Sequence, residues 1–184
     1  MKRITMVLAV ASTWAVAASL APVPALALET FEAQMEASDA ASRAAFDMFE
    51  TFGFKQLKPG QYLWRDVPES AGSERVVVSI GNQLAYLYRG NSLVAVSTIS
   101  TGKDEKPTPT GVFSVLDKKP FYRSKKYDNA PMPWMQRIDQ YGVALHAGFN
   151  PGRPASHGCI RLPSEFAKKL YSVTQVGTSV YIGA

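Results

Sequence analysis

Residues 146–163 read H-A-G-F-N-P-G-R-P-A-S-H-G-C-I-R-L-P, and this stretch decides how the rest of the chain is interpreted. It holds the only cysteine, Cys159, and both histidines, His146 and His157. A thiol becomes a strong nucleophile as the thiolate, and a nearby imidazole can take its proton at neutral pH. The glycines of the stretch let the backbone turn sharply or approach a substrate closely. We therefore interpret it as a cysteine nucleophile with a histidine base.

The N-terminus has the pattern of an export signal. Lys2 and Arg3 give a basic start, residues 4–20 are apolar apart from Ser and Thr, and residues 25–27 form an A-x-A cleavage site. We predict that residues 1–27 are a signal peptide, and that the remaining single domain is exported to the periplasm or cell envelope. The alternative is an uncleaved anchor, for which the apolar stretch is marginal. After cleavage we expect no stable membrane span.

The cysteine count and the charge narrow the possible functions. One cysteine cannot form an internal disulfide, and in an oxidising compartment it is either paired with another chain or a working thiol. The net charge is +5, and removing Lys2 and Arg3 leaves 18 basic residues against 15 acidic ones. No segment interleaves basic and aromatic residues as a nucleic-acid surface does, so we predict no nucleic-acid partner.

Residues 28–71 predict an N-terminal helix followed by a linker. Between Glu29 and Phe52, apolar residues recur at intervals of three and four, with Ser38 interrupting the line, and Gly53 is a plausible stop. The predicted stripe consists of Phe31, Met35, Ala41, Ala45, Phe49 and Phe52. We expect the helix to pack on the domain or to form a stalk. Residues 57–70 contain turn-forming prolines and read as a linker, with Tyr62 and Trp64 docking one face of it.

Residues 72–184 have the pattern of one mainly β domain. Hydrophobic and β-branched runs predict strands at residues 75–80, 84–88, 93–100, 112–116, 142–145 and 180–182. Residues 164–174 predict a helix capped by Ser164. Residues 118–137 look irregular, although their aromatic side chains argue against disorder. The pattern predicts a mainly antiparallel β domain with few short helices.

The motif S-H-G-C-I-R-L at residues 156–162, with His146 upstream, resembles the signature of the L,D-transpeptidase catalytic domain family (YkuD-like). The similarity extends to S-T-G at residues 100–102, T-P-T-G at residues 108–111 and Met132-Pro133, and it covers roughly residues 74–183. The resemblance implies an L,D-transpeptidase-like β-sandwich, here preceded by the N-terminal helix. It also implies that the protein needs no metal or organic cofactor.

The resemblance assigns the catalytic roles. It makes Cys159 the nucleophile that accepts the acyl group and His146 its base. The third member of the triad is a backbone carbonyl, here at Ala147. Family members often have glycine at this position, but a carbonyl group does not depend on the side chain.

The residues beside the nucleophile are expected to support it. Backbone N–H groups at His157, Gly158 and Cys159 are well placed in sequence to receive the negative charge of a tetrahedral intermediate. Ser156 is expected to form a local hydrogen bond. For His157 we expect a hydrogen bond that orders the loop rather than proton transfer, because one base suffices.

Four side chains are candidates for binding the substrate. Arg161 lies two residues beyond the nucleophile and would share its strand face. Its guanidinium either grips a substrate carboxylate or forms a structural ion pair. Tyr127, Met132 and Trp134 either pack in the core or form a wall of the substrate groove.

The resemblance implies that the substrate is a peptidoglycan stem tetrapeptide, cut before its terminal D-alanine. The acyl group would pass to an amine, either for cell-wall cross-linking or for anchoring a protein such as a lipoprotein. The alternative is a hydrolase on the same fold, an L,D-carboxypeptidase or an amidase that releases wall-linked lipoprotein, because the short segment from His146 to Ser156 would leave the site open to water. Three other interpretations are less favoured. They are a zinc site at His146, His157 and Cys159, a non-catalytic wall-binding module, and a redox thiol, for which the sequence has no C-x-x-C motif.

Overall fold

The structure, a computed structural model, describes residues 28–53 and 56–184, so the predicted signal peptide lies outside the described residues. None of the helices in these ranges combines the length and the apolar character that crossing a bilayer requires. A short 3-10 helix spans Glu69–Ala71. The helices and strands, in chain order, are α1 Phe31–Phe52, β1 Tyr62–Trp64, β2 Glu74–Ser79, β3 Leu84–Arg89, β4 Ser92–Thr98, β5 Gly111–Ser114, β6 Asp117–Lys119, β7 Met135–Arg137, β8 Ala144–Ala147, β9 Ile160–Leu162, α2 Ser164–Val173 and β10 Ser179–Gly183.

The strands form two sheets. The larger sheet has the order β1-β4-β3-β2-β10-β5, and the smaller has the order β6-β7-β8-β9. Neighbouring strands pair antiparallel, except for the parallel pairs β2 with β10 and β8 with β9. One hydrophobic core contains side chains from both sheets and from α2, including Val76, Leu87, Leu145, Leu162 and Phe166. The prediction of a mainly antiparallel β fold with few helices is confirmed.

Helix α1 is present where the sequence predicts it, but it packs through a different face from the predicted one. Thr30 caps the N-terminus by accepting a 3.3 Å hydrogen bond from the Ala33 N–H, and Gly53 ends the helix. The predicted stripe is largely wrong, because Phe31 and Phe49 are 72% and 61% exposed and Ala41 alone among its residues is buried. The buried face instead consists of Ala33, Ala37, Ala41, Ala44 and Met48.

The reason for this face is the closeness of α1 to the large sheet. At Gly183 on β10, an added Cβ would lie 2.6 Å from the Ala37 carbonyl oxygen and 2.8 Å from the Ala41 Cβ. Only small side chains fit between two backbones this close. The alanines therefore face the sheet, and Phe31, Phe46 and Phe49 face outward.

The predicted strands are present, with ends shifted by a few residues, and the missed strands are all three residues long. Strand β1 lies inside the predicted linker, β6 and β7 lie at the ends of the segment that looked irregular, and β9 follows the nucleophile. Three residues are too few to show a periodic pattern. Tyr62 and Trp64 do dock, with ring centres 5.7 and 6.0 Å from that of Phe166. The cap of α2 is Pro163 rather than Ser164.

Candidate active site

The parallel pairing of β8 and β9 brings the key residues of the motif together. His146 on β8 lies opposite Arg161 on β9. Cys159 directly precedes β9 and is two residues from Arg161, so the two side chains share one face of the strand. His146, Cys159 and Arg161 all line one cavity of about 880 Å³. The structure therefore places the predicted nucleophile and its predicted base in the same cavity.

His146 is held as a neutral base. The residue is 7% exposed, and its Nδ1 lies 2.8 Å from the Ala147 carbonyl oxygen. Because a carbonyl only accepts hydrogen bonds, Nδ1 carries the proton and Nε2 keeps its lone pair. Burial lowers the pKa of His146 to about 4, with the Ala147 hydrogen bond opposing this shift and the Arg161 charge adding to it. The imidazole is therefore neutral at pH 7.

The Cys159 thiol rests against a backbone carbonyl. Cys159 is half-buried, and its Sγ donates to the Gly142 carbonyl oxygen at 3.8 Å. Within the described residues, no hydrogen bond joins Sγ to the His146 ring. The thiol proton thus points to Gly142 in the resting protein.

Burial also determines the protonation of the thiol. It raises the pKa of Cys159, and the charge of Asp139 acts in the same direction. A hydrogen bond with the Ala144 backbone and the charges of Arg161 and Lys126 oppose this rise. At pH 7 the resting pair is therefore a neutral thiol and a neutral imidazole.

Ser156 ties the nucleophile turn together. Its Oγ accepts a 3.1 Å hydrogen bond from the Gly158 N–H and donates a 2.5 Å bond to the Cys159 carbonyl. Gly158 has a φ of +112°, a conformation that favours glycine. The Gly158 N–H is thus already engaged. The N–H groups of His157 and Cys159 donate no hydrogen bond within the described residues and remain available.

Two upstream segments support this turn, and they are those that extended the family resemblance. Thr108 Oγ1 accepts a 2.9 Å bond from the Gly102 N–H and donates a 2.8 Å bond to the Gly158 carbonyl. The Thr101 carbonyl accepts the Ser156 N–H at 3.0 Å. Sequence reasoning did not assign Thr108 a role, although its T-P-T-G motif marked the segment.

His157 is ordered by stacking rather than by the predicted hydrogen bond. Its exposed ring stacks on Tyr127, with ring centres 4.7 Å apart and planes 18° apart, and it makes no hydrogen bond within the described part of the chain. Tyr127 and Met132 line the same cavity as the catalytic pair. The groove-wall interpretation therefore fits the positions of these two side chains.

Trp134 does not line this cavity. Its ring packs against Phe121 and Tyr171, with centres 6.2 and 5.5 Å away, and against the main core. Its φ of +57° breaks the alternation of side-chain directions that an extended chain would give. The alternative interpretation, core packing, holds for this residue.

Arg161 has no acidic partner among the described residues. Its backbone pairs with Ser100 through bonds of 2.9 and 3.0 Å, but no carboxylate lies within ion-pair distance of its guanidinium in residues 28–53 and 56–184. Lys125 and Lys126 also line the cavity, against a single acidic residue, Asp128. The cavity therefore favours anionic groups.

Sequence reasoning missed the turn that faces the nucleophile. Asp139 Oδ1 accepts the N–H groups of Gly142 and Val143, both at 2.7 Å. Lys126 Nζ donates a 2.5 Å bond to the Tyr141 carbonyl in the same turn. An aspartate shortly before a glycine is a turn signal and could have indicated this segment.

The zinc alternative would require three side chains to converge on one ion. Across the described ranges, no three His, Cys, Asp or Glu residues lie close enough together for this. In this structure the Nδ1 of His146 is held by a carbonyl, and the His157 ring is stacked on Tyr127.

The fold and the site define a class of protein, a two-sheet β domain with a cysteine and a histidine in one cavity. The profile of the L,D-transpeptidase catalytic domain family, YkuD, matches residues 73–182. This chain therefore belongs to the L,D-transpeptidase family, and the recognition based on the S-H-G-C-I-R-L motif is confirmed.

Individual relatives support the family and the fold. The YkuD protein of Bacillus licheniformis is 31% identical over 115 residues, which is 59% of this chain and 64% of that protein. An L,D-transpeptidase of Mycobacterium smegmatis superimposes with a TM-score of 0.56 at 23% identity, covering 61% of this chain and 59% of that one. One from Xylanimonas cellulosilytica has the same score and identity, covering 65% and 64%. The chain thus spans less than two thirds of these proteins.

Proposed function

We propose that this protein is a peptidoglycan L,D-transpeptidase that works through an acyl-cysteine intermediate. The observation that carries the proposal is the shared cavity of His146 and Cys159, with His146 Nδ1 held by the Ala147 carbonyl. This arrangement directs the lone pair of Nε2 toward accepting a proton. Membership of the L,D-transpeptidase family supplies the reaction class.

The reaction begins when His146 Nε2 takes the proton from Cys159 Sγ. The thiolate attacks the carbonyl carbon that precedes the terminal D-alanine of a stem tetrapeptide, and a tetrahedral oxyanion forms. Its collapse breaks the C–N bond, and the protonated His146 gives its proton to the departing amine. A thioester on Cys159 remains. Because both groups are neutral at rest, their charges develop only as the substrate is attacked.

The oxyanion would be received by backbone N–H groups of the nucleophile turn. Those of His157 and Cys159 donate no hydrogen bond within the described residues, whereas that of Gly158 is held by Ser156. Loss of one such donor typically costs about 3–4 kcal/mol of barrier. We assign the main role to the Cys159 N–H, because it belongs to the attacking residue itself.

The lining of the cavity suits an anionic peptide. Arg161, Lys125 and Lys126 offer positive charges to the carboxylates of a stem peptide, while Tyr127 and Met132 supply an apolar wall. The cavity also includes two exposed aromatic residues, Tyr141 and Phe149. These features agree with the positions of the substrate-binding residues that sequence reasoning proposed, apart from Trp134.

The second half of the reaction requires an amine. If the amine of a second stem peptide attacks the thioester, the product is a cell-wall cross-link. If a lysine of a lipoprotein attacks, the lipoprotein becomes anchored to the wall. Both outcomes regenerate the free thiol, with His146 accepting the amine proton and returning it to Sγ.

Mass spectrometry with a carbapenem tests the nucleophile and its base. We expect an adduct that maps to Cys159 and disappears in His146→Ala. The matched control is His157→Ala, which removes the other histidine of the motif and should keep the adduct. A full-strength adduct in His146→Ala would contradict the role of His146.

Analysis of muropeptides after incubation with tetrapeptide substrate tests the transfer step. Transfer gives dimers linked between two diamino acids, whereas tripeptides alone would contradict it and indicate a hydrolase.

The proposed export has its own test, the N-terminal sequence of the mature protein. We expect that sequence to begin at Leu28.

A further inference from the structure

The turn between β7 and β8 presents a backbone carbonyl to the nucleophile. The Ile138 N–H donates a 2.9 Å bond to the Val143 carbonyl and closes the turn. Inside it, the Gly142 carbonyl accepts the thiol of Cys159. Gly142 has a φ of +98°, which favours glycine. The contact with the thiol therefore depends on the shape of this turn.

Asp139 determines that shape. Its side chain is buried, in a residue that is 2% exposed, and one carboxylate oxygen accepts both the Gly142 and the Val143 N–H at 2.7 Å. Across the described residues no basic side chain lies within ion-pair distance of it. A buried carboxylate is costly unless hydrogen bonds compensate for the lost water, and here two backbone donors do so. The catalytic steps proposed above do not use this carboxylate.

We propose that Asp139 is a positioning residue that keeps the Cys159 thiol protonated in the resting protein, by holding the Gly142 carbonyl against Sγ and by keeping a negative charge near it. The proposal rests on the proposed function in one respect, since it takes Cys159 as the nucleophile. Asp139 does not line the cavity and makes no hydrogen bond to Sγ within the described residues, so it acts through the turn and through its charge.

The charges around the thiol agree with this role. Burial raises the pKa of Cys159, and the charge of Asp139 adds to the rise. The opposing charges are Arg161 on β9 and Lys126 in the segment of residues 122–132. Tyr122 packs in the same small hydrophobic cluster as Cys159. The other titratable groups that line the cavity are His146, His157, Tyr127, Tyr141, Lys125 and Asp128.

A protonated resting thiol has a functional consequence. Electrophiles and oxidants react with the thiolate rather than with the thiol. A thiol held in its neutral form therefore reacts slowly with them until a substrate binds. His146 can then remove the proton in the presence of the carbonyl that the sulfur attacks. Asp139 thus keeps the Cys159 thiol less reactive in the free protein than in the substrate complex.

The test is the pH dependence of Cys159 alkylation by iodoacetamide in the whole protein, without peptidoglycan. Because Cys159 is the only cysteine, the rate reports on this thiol alone. In Asp139→Asn the amide oxygen can still accept the two N–H bonds, but the charge is gone. We expect the midpoint to fall by about 0.5–1 pH unit and the rate at pH 7 to rise about two- to four-fold.

Controls separate the charge from the fold. Asp104→Asn removes an exposed carboxylate outside the cavity and should leave the profile unchanged. Asp139→Ala removes both the charge and the acceptor, and it should lower the midpoint and the melting temperature together. Folded Asp139→Asn and Asp139→Ala proteins that both keep the wild-type profile would overturn the proposal, whereas a shift in Asp139→Ala alone would assign the effect to the turn.

A measurement on the unaltered protein keeps the proposal testable even if the variants do not fold. In the wild-type protein, the midpoint of the iodoacetamide profile should lie above the ~8.5 of a free cysteine. A midpoint below that value would overturn the proposal. Neither measurement uses a cell-wall substrate, so its outcome is independent of the muropeptide test.

Discussion

His146 and Cys159 line one cavity as neutral groups, and burial is the main cause of the neutral state of both. Burial lowers the pKa of the imidazole and raises that of the thiol. Each unit by which the two values move apart costs about 1.4 kcal/mol in forming the ion pair at rest. In the proposed mechanism the thiolate therefore forms during the attack, when the proton on His146 is needed for the leaving amine.

The pH dependence of acylation follows from the pKa of His146. Because this pKa is lowered to about 4, the base form is present throughout the neutral range and is lost only as the pH falls toward 4. We expect the rate of carbapenem acylation of Cys159, followed by mass spectrometry, to keep its neutral value at pH 5.5. A decline with a midpoint near the ~6.5 of a free histidine would contradict this assignment.

Ser156 is expected to be required for the nucleophile turn. In Ser156→Ala the Gly158 N–H and the Cys159 carbonyl lose the hydroxyl that bridges them, and leaving buried polar groups unpaired costs about 1–3 kcal/mol. We expect urea unfolding to show this loss and carbapenem acylation to slow. The matched control is Ser172→Ala, whose exposed hydroxyl donates to the Lys169 carbonyl. Equal effects of the two substitutions would argue against the bridging role.

At the scale of elements, the packing of α1 on the large sheet is governed by side-chain size. The helix places a row of alanines on β10, where Gly183 leaves no room for a side chain. Its larger residues, including Phe31 and Phe46, face outward. The helix and the strand approach each other closely because small residues meet small residues on both surfaces.

Gly183→Ala is expected to destabilise the protein. The new Cβ would lie 2.6–2.8 Å from three atoms of α1, and overpacking of this kind typically costs about 1–3 kcal/mol. Gly81→Ala is the matched control, because its Cβ would approach no atom closer than 3.8 Å and its backbone suits alanine. Thermal unfolding of both variants checks the prediction. A Gly183→Ala protein as stable as Gly81→Ala would show that α1 can shift freely.

At the scale of the whole molecule, the family domain and the N-terminal helix share a hydrophobic core. The large sheet has two apolar faces, one toward the small sheet and one toward α1. The second face includes Val77, Tyr86, Tyr88 and Val96, which cluster with Ala44 and Met48 of the helix. The region that matches the family profile, residues 73–182, therefore has an apolar surface, and the helix that covers this surface lies outside that region.

Removal of α1 is expected to make the domain insoluble or much less stable. A protein that begins at residue 56 would expose the apolar face described above, and a large exposed patch promotes aggregation. We expect it to be insoluble or to melt well below a protein that begins at residue 28, as judged by size-exclusion chromatography and thermal unfolding. A monomeric shortened protein with an unchanged melting temperature would show that the helix is dispensable.

The family and a candidate catalytic pair could be predicted from the sequence because their residues lie within one stretch, residues 146–162. The S-H-G-C-I-R-L motif and the upstream His146 indicated the family, and alternating strands indicated the mainly β fold. Both signals are local: a motif is contained in a few neighbouring residues, and a strand of six residues shows its own period.

Only the tertiary structure decided which distant groups surround the nucleophile and which face of α1 is buried. Asp139 and Thr108 contact the turns around the nucleophile, and no periodic pattern predicts these contacts. Trp134 lies outside the cavity, and its own backbone is left-handed. Helical periodicity reports the polarity of side chains, not the space available to them. The burial of the alanines and the exposure of Phe31 and Phe49 depend on a glycine more than a hundred residues away, and a contact of that kind exists only once the chain has folded.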